Sequence, residues 1–214
     1  DASIVSEMIE KEILNDFSRL GLSINRRKTN RINVCTKDTD ESKWKFNYLG
    51  YSFQIRKSET PSVVVTLTQE RLARIKERIR LSFKSWKRSI RRAQKNNNTQ
   101  KRLAAIESSN ALLIKRLRFL AGNTKVPSSR GSVSVGIYFS NSAITSAEQI
   151  ETLDSYFKEQ RDDNNPLIQR FFTKKQKRRL DEISFIKAFE LRKFQLLDPK
   201  EVQEISKCWK EKVK

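Results

Sequence analysis

Eleven lysines and arginines fall between residues 71 and 95, against a single acid, Glu77. Solvated helical faces usually interleave both signs, so a face this one-sided implies a polyanionic partner. Its side chains Arg71, Arg74, Arg78, Lys84, Lys87, Arg88, Arg91 and Arg92 have the chemistry of phosphate contacts. Such charge-assisted hydrogen bonds position a nucleic-acid backbone without reading its sequence. A second cluster, Lys174-Lys175-Gln176-Lys177-Arg178-Arg179, either offers Lys174, Lys175, Lys177 and Arg178 to RNA or caps a helix in solvent. Other chemistries are narrowed by composition. The chain has no His and two Cys, Cys35 and Cys208, which excludes a His-based triad and any His-containing zinc site. Two lone cysteines make no disulfide framework. Asp162-Asp163 stands in a polar stretch before Asn165-Pro166, with no strand hairpin around it, and is not read as a catalytic pair.

The whole chain repeats this bias, with a net charge of +20 and a pI near 10.2 over 214 residues. A surplus of that size repels itself unless an anionic partner neutralises it. Hydrophobic content of 36% with 12 Phe and 3 Trp argues for a folded protein, long enough for one large domain or two small ones. No apolar run approaches the ~18 residues that span a bilayer, so nucleic acid is the expected partner and an interfacial amphipathic helix is the membrane alternative. Cysteine usage points to a reducing cytoplasm, and Asp1-Ala2-Ser3 opens no signal peptide. With no Met at its start, the chain is expected to be the later part of a longer polypeptide.

Elements that could hold these residues follow from periodicity. Ile4, Met8, Ile13, Phe17 and Leu20 recur at helical spacing in an acidic first helix that Gly21 should stop. Short strands are expected over 22–25, 30–36, 46–56 and 62–67, the last beginning after Pro61. Thr68 can cap a long helix with Glu70 in its first turn and Leu72, Ile75, Ile79, Phe83, Trp86 and Ile90 along one stripe. Asn96-Asn97-Asn98 should end it, and a second helix over about 100–120 turns Leu103, Ile106, Leu113, Leu117 and Leu120 inward until Gly122-Asn123. Residues 127–131 read as a loop, and Val133, Val135, Ile137 and Phe139 alternate as a strand, weakened by Gly136. Ile150, Leu153 and Phe157 mark a further helix, and two more are centred on Ile186 and Phe189 and begin at Pro199. The fold class expected is α+β, a helix with a small antiparallel sheet followed by a mainly α-helical part.

One ordered set of residues is more specific. Gly21-Leu22-Ser23-Ile24-Asn25 leads to Lys28-Thr29, and about twenty residues on stands Asn47-Tyr48-Leu49-Gly50-Tyr51-Ser52-Phe53, followed by the basic helices. This order resembles motifs D and E of the reverse-transcriptase palm and the thumb after them, in the bacterial lineage of retrons, group II intron enzymes and phage-defence enzymes. The resemblance covers roughly residues 4–160. A looser likeness to the end of that thumb lies in Gly136-Ile137-Tyr138-Phe139-Ser140-Asn141 and Leu153-Asp154-Ser155-Tyr156-Phe157, where core packing of Tyr138 and Phe139 is the better explanation.

The resemblance implies a division into the end of the palm (1–67), the thumb (68–163) and a basic helical extension (164–214). It implies that Lys28 sits beside the triphosphate of the incoming nucleotide, where a lysine can balance charge and protonate departing pyrophosphate; a solvated lysine beside Arg26 and Arg27 is the plain alternative. It implies that Tyr48, Leu49, Gly50, Tyr51 and Ser52 form the primer grip, with Gly50 free of a Cβ where backbone nears the primer. An aromatic hairpin core is compatible with that role. The parent reaction would be RNA-directed DNA synthesis from an RNA template or non-coding RNA, a DNA primer and deoxynucleoside triphosphates (dNTP). Its Mg²⁺ ions would be held by aspartates of the upstream palm and fingers of the same protein, expected before Asp1, so this portion alone should not polymerise. The helical tail, without an endonuclease pattern, points to a retron or an antiviral-defence enzyme. The competing class is a non-catalytic RNA-binding scaffold of a ribonucleoprotein. Oligomeric state has no signature in the sequence.

Overall fold

The computed structural model describes residues 2–25, 44–56, 62–129, 131–162 and 165–210. These residues form an α+β protein with eight helices and two three-stranded sheets among them. They divide into two compact units, one holding residues up to Phe46 with Gln54–Ser62, the other Asn47–Phe53 and the chain from Val63 onward.

The first unit contains helix α1 (Ala2–Arg19). Gly21 ends it at φ +69, with the Leu22 N–H bonded to the Phe17 carbonyl at 2.8 Å and the Gly21 N–H to Ser18 at 3.0 Å. That is a Schellman end, and it needs a residue at ease with positive φ. The expected strand over 22–25 does not form: these residues are irregular. Ile4, Met8, Ile13 and Phe17 are solvent-exposed. The strand expected over 30–36 and Lys28 itself lie outside the described residues.

Strands β1 (Lys45–Tyr48), β2 (Tyr51–Arg56) and β3 (Ser62–Leu67) form the first sheet in that order. The strand-like run over 46–56 is the hairpin expected around Gly50, its turn made by Leu49 (φ 48) and Gly50 (φ 81), both left-handed. Positive φ at both central residues is the two-residue turn whose twist suits a β-hairpin.

The second unit is built on α2 (Gln69–Gln94) and α3 (Thr99–Ala121). Thr68 and Asn98 cap them, each side chain accepting a backbone N–H three residues on. Ile79, Phe83, Trp86 and Ile90 of α2 are buried with Ile106, Leu113, Leu117 and Leu120 of α3. Leu103, expected inward, is 60% exposed. Helix α4 (Glu148–Arg161) adds Ile150, Leu153 and Phe157, whose ring lies 6.4 Å from Phe83. Four short elements close the core, α5 (Pro166–Phe171), α6 (Lys174–Asp181), α7 (Phe185–Leu191) and α8 (Pro199–Lys210). They pack directly on α2, α3 and α4, so the described residues of 164–210 share one compact unit with those of 68–162.

Where a loop was expected over 127–131, the chain forms β4 (Asn123–Ser128) and β5 (Gly131–Gly136), paired antiparallel from Asn123↔Gly136 to Ser128↔Gly131. Strand β6 (Phe194–Leu196) joins β4 in parallel. Pro127 is tolerated because β6 reaches only Lys125, leaving β4 an edge beyond it. The strand expected through Phe139 stops at Gly136, whose φ is +136; a Cβ there would come within 2.4 Å of the Gly122 carbonyl oxygen. Asn123, 2% exposed, fixes this corner by accepting the Tyr138 N–H at 2.8 Å and donating to the Ala188 carbonyl at 2.8 Å. Among the described residues no helix is long and apolar enough to cross a membrane.

Candidate nucleic-acid interface

The β1–β2 turn and the first turns of α2 are joined by one side chain. Arg71 donates from Nη1 to the Leu49 carbonyl at 3.0 Å and from Nη2 to the Ser140 carbonyl. Its guanidinium lies 4.8 Å from the Tyr51 ring centroid, and the Tyr51 hydroxyl donates to the same Ser140 carbonyl at 3.0 Å. The forked guanidinium is suited to holding two carbonyls and stacking on a ring at once. Arg71 is thereby committed to protein contacts on both arms of its fork, in contrast to the phosphate role read for it from sequence. Gly50 acquires a second reason to be glycine: a Cβ there would meet Arg71 Nη1 at 3.0 Å and Cδ at 3.1 Å. A Cβ at this position would press on the Arg71 side chain, which would have to give by a few tenths of an ångström.

This arrangement sorts the five hairpin residues. Tyr48 and Leu49 are exposed, at 62% and 74%. Tyr51 is half-buried, and Ser52 is buried and accepts the Thr66 hydroxyl through its carbonyl. Strand β3 is locked from its other side. The Gln149 amide bonds the Leu67 N–H at 2.5 Å and the Leu67 carbonyl at 3.1 Å, and Thr145 does the same for Val65. A side-chain amide here replaces a missing strand partner. Ser140, Thr145 and Gln149 are positioning residues that spacing gave no hint of, since their partners lie 69 to 82 residues away.

The basic residues of α2 do not form one face. At 100° per residue, Arg74 and Arg78 share a flank with Arg71. They border a groove of about 690 Å³ whose far wall is Val126, Val133 and Val135. Arg74 bonds the Glu70 carbonyl from Nε at 3.3 Å, and Arg78 lies 5.8 Å from the Trp209 ring centroid. Lys84, Lys87 and Arg91 lie with Arg80 on a second flank, about 140° away by the same geometry, facing α4. Arg92 is exposed in line with Arg74, and Arg88, exposed between the flanks, reaches the rim of the groove beside α4. Glu77 pairs with Arg80 through two bonds of 2.6 Å. That hydrogen bond holds the Glu77 carboxyl below its ordinary range, while burial pushes the Tyr156 phenol up.

The second cluster lies on α6, which begins in a capping box of Thr173 with Gln176. Lys174, Lys175 and Arg178 are exposed, and Lys177 donates to Gln169 Oε1 at 2.5 Å. Of the acidic pair set aside above, Asp162 is the exposed C-cap of α4 at φ 40, and Asp163 lies outside the described residues.

A polymerase of the resembled class needs Mg²⁺, but among the described residues no group of three or more Cys, Asp or Glu side chains is placed to hold a metal ion. The described residues thus offer no site for that cofactor. Comparison with protein-family models, with curated proteins and with solved structures gives no match.

Proposed function

We propose that this chain is the late-palm and thumb portion of an RNA-directed DNA polymerase, gripping the primer end and holding the template–primer duplex. The observation that carries the reading is the Arg71 clamp. It fixes the exposed Tyr48-Leu49 turn to the helix that bears Arg74 and Arg78. A primer grip and a thumb helix must keep such a fixed relation if the primer terminus is to stay aligned while the duplex is held. In this reading Arg74, Arg78, Arg88 and Arg92 meet phosphates, and Tyr48 and Leu49 meet the primer strand. Lys28 serves the incoming dNTP, and Mg²⁺ is bound by residues outside this chain. The ordered motifs around Gly21, Lys28 and Gly50 favour this over a ribonucleoprotein scaffold.

The test is fluorescence anisotropy of the 214-residue chain with an RNA–DNA hybrid and with single-stranded RNA of equal length. The hybrid should bind about fivefold tighter or more, and Arg74→Glu with Arg78→Glu should weaken it about tenfold. Equal affinity for the two ligands, or a double variant that binds the hybrid like wild type, contradicts the proposal.

A further inference from the structure

The flank of α2 turned towards α4 has the makings of a separate site. Lys84, Lys87 and Arg91 line a groove of about 440 Å³, with Arg88 on its outer rim and the buried Phe83 and Gln160 of α4 beside them. From Arg80 to Arg91 the cations span about 16 Å along the helix axis, at 1.5 Å per residue. Glu77 neutralises Arg80, and no carboxylate lines the groove. Among the described residues Lys87 and Arg91 make no ion pair. Cations left unpaired beside one another repel, and an anion threaded between them relieves that repulsion. One turn before Gln160, α4 presents the partly exposed ring of Tyr156, with Lys76 Nζ 5.5 Å from its centroid. A rigid duplex seated on Arg74 and Arg78 cannot wrap about 140° round a helix to reach this groove. A flexible chain can enter it.

We propose that the α2–α4 groove binds a single-stranded stretch of nucleic acid, with phosphates on Lys84, Lys87 and Arg91 and a base stacked on Tyr156. Backbone-tracking cations beside an aromatic platform are the common device for binding single strands without sequence preference. The proposal depends on the duplex reading only for the contrast between the two flanks of α2.

Anisotropy with a 16-nucleotide oligouridine and a 16-base-pair RNA–DNA hybrid tests it on the whole chain. Lys87→Glu with Arg91→Glu should cost about tenfold or more on oligouridine and less than about threefold on the hybrid. Tyr156→Ala should cost about fivefold or more on oligouridine alone. Lys207→Glu with Lys210→Glu, an equal charge change on α8, should cost less than about threefold on either. If the Glu pair fails to fold by circular dichroism, Lys87→Gln with Arg91→Gln replaces it, and about a fivefold selective loss is expected. Equal losses on both ligands, or a loss no larger than the α8 pair gives, overturn the proposal. So does oligouridine binding left intact while binding to phosphatidylserine vesicles is lost. Oligouridine binding that needs Lys87 and Arg91 in a chain that ignores the hybrid would support the groove and defeat the polymerase reading.

Discussion

Arg71→Ala removes two hydrogen bonds from a charged donor and a stacked cation in one step. At a half-exposed site water takes over part of each bond, so about 1 kcal/mol per bond is the appropriate scale. The cation–π contact adds about 0.5 kcal/mol. The expected loss is therefore about 2 to 3 kcal/mol, or a fall of about 1 M in the urea midpoint for a slope near 2 kcal/mol per M. The backbone N–H of residue 71 still reaches the Thr68 hydroxyl, so the helix start survives. Arg71→Lys should recover less than half of the loss, since an ammonium cannot hold both carbonyls and lie on the Tyr51 ring. Binding separates this clamp from a phosphate contact. Arg71→Ala should weaken hybrid binding without changing the slope of log K against log salt, whereas Arg78→Ala should make that slope shallower by about 0.9. An Arg71→Ala protein within about 0.5 kcal/mol of wild type, a typical neutral surface change, would refute the clamp.

Asn110 is the buried hub of the second unit, accepting the Trp86 indole N–H at 2.8 Å and donating to the Phe171 carbonyl at 2.7 Å. Asn110→Ala strands both partners and should cost about 2 to 4 kcal/mol in urea unfolding followed by tryptophan fluorescence. Arg116 is 6% exposed and donates to the Ile205 carbonyl and the Ser85 hydroxyl; Arg116→Ala should cost about 2 kcal/mol and loosen α8, read as faster amide exchange there. The chain has no His, so few of its groups titrate between about pH 5.5 and 8. The Glu77 carboxyl is held low by Arg80, so its contribution is complete above the unfolded carboxylate range and is lost only as pH falls through the lowered value. Nucleic-acid affinity and stability should accordingly both be flat across that window, by titration at matched ionic strength.

The parts of this fold that were legible in the sequence are those set by neighbours along the chain. Thr68, Asn98, Gly21 and Pro199 mark helix ends because a cap or a fixed φ acts over three or four residues. The stripe from Leu72 to Ile90 is buried as its period requires. What escaped depends on distant partners. Strand β4 runs through Pro127, which reads as a loop, and exists because β5 and β6 pair with it, the latter from 71 residues away. The hairpin at Leu49-Gly50 was legible from the Tyr-Leu-Gly-Tyr order, although periodicity alone ran straight through it because Leu rarely takes positive φ. For the candidate site, the sequence supplied the charges but could not say which were already engaged. Arg71 differs from Arg78 only in what the fold brings to it, the carbonyls of Leu49 and Ser140. Nor could composition separate two flanks of one helix, since that depends on where α4 and the β4–β5 hairpin pack.

The central claim is that one flank and the outer face of α2 hold a nucleic-acid duplex through its backbone. The salt dependence of RNA–DNA hybrid binding by the whole chain measures this most directly. Four phosphate contacts, from Arg74, Arg78, Arg88 and Arg92, predict a slope of log K against log salt of about −3 to −4. A slope shallower than about −1 would contradict it.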